Sequence, residues 1–367
     1  MISNNRHGQN MSSKHSPEFS LLIVNLNGIK SRVLLKCLDS IEEYAPKGSQ
    51  IIIVDNGSTD ESVASLREFK SRYEGPVLII LNDANVGPSA ARKQAEKYLI
   101  GNITLLLDND AYVTASTFRD VSAKFSADPA LAIAQPLLVI NRSKLVDYAG
   151  DYITATGILQ QVVEPSTEPS IIPNALDGQF ILSAKSAGLF IRTSSLLAIG
   201  GFEDWFFIYC EETDIGWRCW LNGFHNKLFL HNVVNHEYGS SSISLGTATV
   251  AKNSAYYGAR NYSALIYLNE IGVRRYAYVS SCIILWLAFS ISCLFRLEVR
   301  RGVQQIRGVI DFFINVPKLN EIRRKRCYPT PKEYKEIRKK IYRKTNLYIL
   351  LTKAFRRPVL GNSIRHK

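Results

Sequence analysis

The chain has 367 residues and a formal charge of +13, with 46% hydrophobic and 10% aromatic side chains. That apolar content can bury one large core or two ordinary ones, and it excludes a wholly disordered chain. Six scattered Cys without a CxxC pair argue against a disulfide scaffold or a zinc ribbon, and for reduced thiols in a cytosolic compartment.

The charge is unevenly spread. Residues 271–367 carry 23 Lys/Arg against 5 Asp/Glu, whereas residues 1–270 carry 22 against 27. A slightly acidic front part is joined to a strongly basic tail, which suits an anionic partner such as a membrane surface or nucleic acid.

Residues 1–18 are polar and lack an apolar run, so they are read as a disordered N-terminus and not as a signal peptide. From Phe19, four short runs rich in Ile, Val and Leu predict strands over 19–26, 50–56, 76–82 and 102–110, buried on both faces. Helical periodicity lies between them, over 29–44, 59–73 and 88–99, and Pro88 suits a first helical turn. This alternation predicts an α/β fold with a mostly parallel sheet flanked by helices.

In such sheets ligands bind where the strands end. Asn25 and Asn27, Asp55 to Ser58, Asn82 to Gly87, and Asp108 to Asp110 all fall there. Each alone is an ordinary turn residue, but four polar strand ends on one rim make a candidate site. No GxGxxG follows the first strand, which weighs against a dinucleotide fold. In LLLDNDA (105–111) two carboxylates at a buried strand's exit can share a hard divalent cation that keeps positions open for phosphate oxygens.

With IVNLNG, IIIVDNGSTDES, NDANVGPSAARKQA and LLLDND in this order, the chain resembles family 2 glycosyltransferases of the GT-A fold. The block SAGLFIRTSSLLAIGGFEDWFFIYCEETDIGWRCWLNGF (186–224) is similar to the acceptor-side signature of their rhamnosyltransferase-like branch. The resemblance implies a nucleotide-sugar-binding half over 19–139 and an acceptor-binding half over 140–270. It implies nucleotide contacts from Asn25, Asp55, Asn56, Ser58, Asn85, Gly87, Arg92 and Asp108, although Arg92 reads equally well as a solvated helix residue. It further implies that Asp108 and Asp110 hold Mg²⁺ or Mn²⁺, Asp110 more directly, with His236 completing the metal or diphosphate site.

The second chemical element is EETD (211–214). An inverting transfer needs a carboxylate to take the proton of the attacking hydroxyl, and grouped acids among aromatic residues have raised pKa values. The family carries Glu-Asp here with Asp as the base; this chain has Glu212 in that place, with Glu211 as the alternative. Asp214 and Arg218, spaced i, i+4, read as a structural ion pair. Gly200 and Gly201 read as a tight turn, and YYGARN (256–261) as part of a helix.

Residues 276–295 form an uncharged stretch flanked by Arg274, Arg275, Arg296, Arg300 and Arg301. As a helix it is about 30 Å long, the thickness of a bilayer core. A single crossing would put the basic tail on the far side, against the positive-inside rule. The expectation is therefore a basic, helical, membrane-associating region over 271–367 at the cytoplasmic face of the cell membrane. It would be peripheral, monotopic or with one membrane helix near 276–295. Residues 321–344 add a polybasic segment worth about 1 kcal/mol per Lys/Arg at an anionic surface. No stacking motif accompanies it, so no nucleic acid is expected.

The expected function is inverting, metal-dependent transfer of a hexose, or a deoxyhexose such as rhamnose, from a nucleoside-diphosphate donor. The acceptor would be a hydroxyl of a lipid-linked or cell-surface glycan. The alternatives are a sugar-1-phosphate nucleotidyltransferase and a non-catalytic adaptor that binds membrane or nucleic acid.

Overall fold

The computed structural model describes residues 17–154, 157–237 and 248–343, with side chains from 253 onward in the last segment. Most of the expected disordered N-terminus and the end of the basic region, 344–367, lie outside the described residues.

The front half alternates as expected: β1 (Phe19–Asn25), α1 (Leu34–Tyr44), β2 (Gln50–Asp55), α2 (Ser62–Arg72), β3 (Val77–Leu81), α3 (Pro88–Glu96) and β4 (Ile103–Asp108). β1, β2 and β4 are near-continuous apolar runs, and each is buried on both faces. β3 differs from the expectation. It is only partly buried, because it forms the outer edge of the sheet. α1 and α2 begin later than their periodicity suggests. The residues ahead of them are bound into turns, with Lys30 N–H donating to Asp60 and Thr59 N–H to Asn27.

The remaining elements are β5 (Ala111–Val113), α4 (Val121–Ala127), β6 (Leu131–Ile140), β7 (Val146–Tyr148), β8 (Asp151–Thr154), β9 (Leu159–Gln161), β10 (Phe180–Ile181), β11 (Leu189–Arg192), α5 (Thr193–Ala198), α6 (Glu211–Leu221) and β12 (His225–His236). The large sheet runs β10-β12-β6-β11-β4-β1-β2-β3, with β5 on β12 and β7 on β6. Strands β3, β2, β1 and β4 are mutually parallel, and β11 inserts antiparallel between β4 and β6. The order reverses at β1, whose neighbours are β2 on one side and β4 on the other. That is where a doubly wound sheet opens a crevice at its strand ends.

Beyond the sheet come α7 (Ala248–Asn269), α8 (Arg274–Phe295), α9 (Val299–Ile314), α10 (Val316–Arg324), α11 (Pro331–Ile341) and the short β13 (Tyr342–Arg343). β13 pairs parallel with β8, so the basic region folds back onto the sheet-bearing part of the chain. Trp217, Trp220 and Leu182 share one core with Leu265, Phe312, Leu319, Tyr334 and Ile341. Arg323 donates to the carbonyls of Tyr267 and Leu268 at the end of α7, a favourable place for a cation. The composition break at 271 is therefore not a break in packing.

Candidate functional site

The crevice is built from strand ends. Parallel register sets Asn25 beside Asp55, and Val24 beside Asp108. Asp55 is buried. It accepts hydrogen bonds from Asn25 Nδ2 at 2.8 Å, the Ser58 amide at 2.9 Å and Ser58 Oγ at 2.7 Å. Asn56 donates to Asn85 Oδ1 at 2.8 Å and accepts from the Val86 amide, while Asn85 also accepts from the Gly87 amide. These bonds tie the loops after β2 and β3 into one rigid rim. Gly87 has φ +85°, and a Cβ there would stand 2.5 Å from the Phe207 carbonyl oxygen. Only glycine lets that loop pass under the aromatic segment before α6.

Arg92 is the hub. Its side chain is 2% exposed, so it is no solvated helix residue. Nη2 donates to Asp108 Oδ1 at 2.8 Å and to Ser186 Oγ at 2.6 Å, while Nη1 lies 3.4 Å from Glu211 Oε1 and 3.9 Å from Glu212 Oε1. One guanidinium thus joins the aspartate at the end of β4 to both glutamates at the start of α6. Of the two glutamates, Glu211 is 4% exposed and Glu212 16%. Burial, reinforced by Glu212, raises the Glu211 pKa well above the carboxylate range in spite of Arg92. Glu212 accepts from the hydroxyl and amide of Ser186 and keeps an edge toward the crevice.

Asp110, also buried, lies beside His236: Asp110 Oδ1 and His236 Nε2 are 3.3 Å apart. His236 Nδ1 is 3.0 Å from Asp147 Oδ2, which in turn accepts from Lys185 Nζ at 2.7 Å. Burial alone would lower the His236 pKa, but Asp110 and Asp147 push it up to about 9. Among the described residues no three His, Cys, Asp or Glu side chains form a ready metal cage. Two cis ligands of one octahedral ion, each about 2.1 Å from it, stand about 3 Å apart. Asp110 and His236 fit that spacing, and such a site leaves positions for phosphate oxygen and water.

All the expected site residues are therefore gathered on one rim, in two linked groups. Asn25, Asp55, Asn56, Ser58, Asn85 and Gly87 form the rigid loop cluster. Arg92, Asp108, Glu211 and Glu212 form the charged hub, with Asp110 and His236 beside it. The sequence reading missed Ser186, Asp147 and Lys185. Ser186 opens the acceptor-side block and could have been suspected, whereas Asp147 and Lys185 carry no motif. Asp214 makes the expected pair with Arg218 at 2.8 Å, and Arg326 of the basic region adds a bidentate pair.

Residues 20–171 match the family described as glycosyl transferase family 2. A segment of 83 residues, 22% of this chain, is 37% identical to a poly(ribitol-phosphate) beta-glucosyltransferase of Bacillus spizizenii and covers 13% of that protein. The chain spans between 11% and 41% of the length of the first curated relatives it matches. Among solved structures, S. aureus TarS 1-349 superposes with a TM-score of 0.52 at 16% identity over 83% of each chain. GalNAc-T7 with UDP, GalNAc and Mn²⁺ superposes with a TM-score of 0.58 at 15% identity, over 93% of this chain and 58% of that one. Residues 20–171 therefore belong to glycosyl transferase family 2, and the chain folds them into a GT-A-like α/β architecture.

Proposed function

We propose that this chain is an inverting glycosyltransferase that moves a sugar from a nucleoside-diphosphate donor to a hydroxyl of a lipid-linked or cell-surface glycan. One observation carries the reading: Arg92 brings a donor-side aspartate and two acceptor-side glutamates together around a single guanidinium. A one-step displacement needs this arrangement. The leaving diphosphate and the base must flank the anomeric carbon within a few ångströms.

Glu212 is the base in this scheme, because it keeps an edge in the crevice while Ser186 holds one of its oxygens. It takes the acceptor proton as the oxygen attacks. Glu211 lies behind it and positions Arg92. The Asn25, Asp55, Asn56, Ser58 and Asn85 cluster forms the nucleotide shelf, with Gly87 letting the loop close on it. Asp110 and His236 would hold Mg²⁺ or Mn²⁺, with Asp108 beside them; when bound, the ion neutralises charge on the departing diphosphate. GalNAc-T7, with UDP and Mn²⁺, supports a divalent ion and a nucleotide donor. The resemblance of residues 186–224 to the rhamnosyltransferase-like branch, and not the local geometry, supports a hexose or deoxyhexose such as rhamnose. The cytoplasmic face of the membrane is the location consistent with cytosolic donors and a basic C-terminal region.

Calorimetric titration with UDP, dTDP, GDP and CDP, with and without Mn²⁺, tests the reading. Expected is micromolar binding of one diphosphate, dependent on metal and lost in Asp110→Ala. Glu212→Gln should bind that diphosphate normally yet lose transfer by at least 100-fold. Absence of binding to all four by folded protein would overturn the proposal.

A further inference from the structure

α8 and α9 each bury one face in the protein and turn a second, apolar stripe outward. In a soluble protein the apolar stripe of a helix faces the core. On α9 the exposed residues include Val299, Val303, Ile310, Phe313 and Ile314, whereas Gln304 and Gln305 are buried. Phe313 is 56% and Ile314 68% exposed, against 3% for Gln305. Gln304 spends its amide on Asn253 of α7, at 2.9 Å. Val309 and Phe312 share the inward face with Gly302 and Gly308, and the two glycines pack against Ser290 of α8 and Tyr256 of α7 so closely that a Cβ would strike their carbonyls.

α8 repeats the pattern. Ile284, Leu287, Ile291 and Leu294 form one exposed stripe, while Cys282, Ser290 and Cys293 point inward. The chain then reverses at Arg296–Glu298, with Leu297 at φ +61°, and displays Phe295 and Leu297 at the tip. Ser290 Oγ donates to the Gly302 carbonyl and ties the two helices together.

We infer that this hairpin, residues 284–314, is a docking surface for an anionic lipid bilayer, and that α8 lies in the membrane interface and does not cross it. A crossing helix would meet lipid all round and carry α9 and α10 to the far side. Here α9 packs on α7, and the chain beyond it pairs with β8 of the sheet-bearing half. Arg296, Arg300, Arg301 and Arg307 accompany the apolar stripe with Glu298 as the one acidic residue in 296–307. Arginine stems cover apolar surface while their heads reach phosphate. A second copy of the same face would bring these arginines against each other, so lipid fits the surface better than self-association.

The test is vesicle flotation of the full chain, with phosphatidylcholine alone or with one third phosphatidylglycerol. Expected is flotation with the anionic vesicles, and at least a tenfold fall in bound fraction for Ile310→Asp/Phe313→Asp. Both substituted side chains are exposed, and an unchanged circular dichroism spectrum would show that the variant is folded. The exposed Cys327 should react with an impermeant maleimide on intact vesicles, as a non-crossing α8 requires. Three results would overturn the inference: a wild type that does not float, a variant that floats equally well, or a protected Cys327. So would a stable dimer in vesicle-free solution that the same variant dissociates. None of these readouts depends on transferase activity.

Discussion

Arg326→Met removes the one side chain, among the described residues, through which the basic region enters the ion-pair network of α6. Asp214 is fully buried and shared by Arg218, Arg326 and Asn269. Arg326 contributes two charge-assisted hydrogen bonds, of 2.7 and 3.1 Å. Such bonds are worth about 1.5–3 kcal/mol each, but Arg218 remains and methionine fills much of the space. The expected loss is about 2–4 kcal/mol, below the 3–5 kcal/mol of an ion stripped of its partner. At about 2.1 cal/mol/K of unfolding entropy per residue, 367 residues make that a fall of roughly 3–5 °C in Tm. The sign with pH follows from Asp214. Burial raises its pKa, but the two arginines outweigh burial and hold it below the ordinary value of 3.8. Its contribution is present above that value and disappears as pH falls through the folded pKa. The deficit of the variant is thus full at pH 7 and shrinks as pH falls below 3.8 toward the folded pKa. Differential scanning fluorimetry at pH 7 and in steps below 3.8, combined with a cycle through Asp214→Asn, measures it. A deficit independent of pH, or additive effects in the cycle, would refute the reasoning.

Glu96 lies partly buried at the end of α3, where it accepts the Phe202 amide, and burial pushes its pKa up to about 7 from 4.5. Its folded pKa exceeds the unfolded one, so stability is lost as pH rises through 7. Glu96→Gln should stabilise by about 1–3 kcal/mol at pH 8 and by almost nothing at pH 4.5, read from chemical denaturation. Gly87→Ala forces a Cβ toward the Phe207 carbonyl at positive φ. It should cost about 1–3 kcal/mol in stability and weaken nucleotide binding by calorimetry. Asp147→Ala removes the acceptor that orients His236, and should weaken Mn²⁺ binding about 10–100-fold by paramagnetic resonance titration.

Much of the crevice was legible because strand ends announce themselves: an apolar run stops and Asn, Asp or Gly begins. The β1, β2 and β4 termini and the Asp214–Arg218 pair follow from periodicity alone. The burial of Arg92 was not legible. Local spacing places it on a polar-looking helix, and only the return of α6 from 119 residues later supplies Glu211. Asp147 and Lys185 escape for the same reason, since His236 is about ninety residues downstream of Asp147 and Lys185 reaches Asp147 from 38 residues away. The uncharged stretch 276–295 was legible as membrane-like. That Cys282 and Ser290 face inward while Ile284 and Ile291 face outward depends on which neighbours α8 meets, and composition does not carry that.

Arg92 also ties together the two ends of the crevice. Its charge is divided between Asp108 and the glutamates, and burial leaves no water to make up a shortfall. Whatever engages Asp108 at the donor end releases part of that charge, and Glu211 and Glu212 are its nearest other carboxylates. Occupancy at Asp108 would then strengthen the pull of Arg92 on the two glutamates, and binding at the glutamates would in turn alter affinity at Asp108 by the same factor. Two ligands that never touch the same side chain would be thermodynamically coupled through one cation.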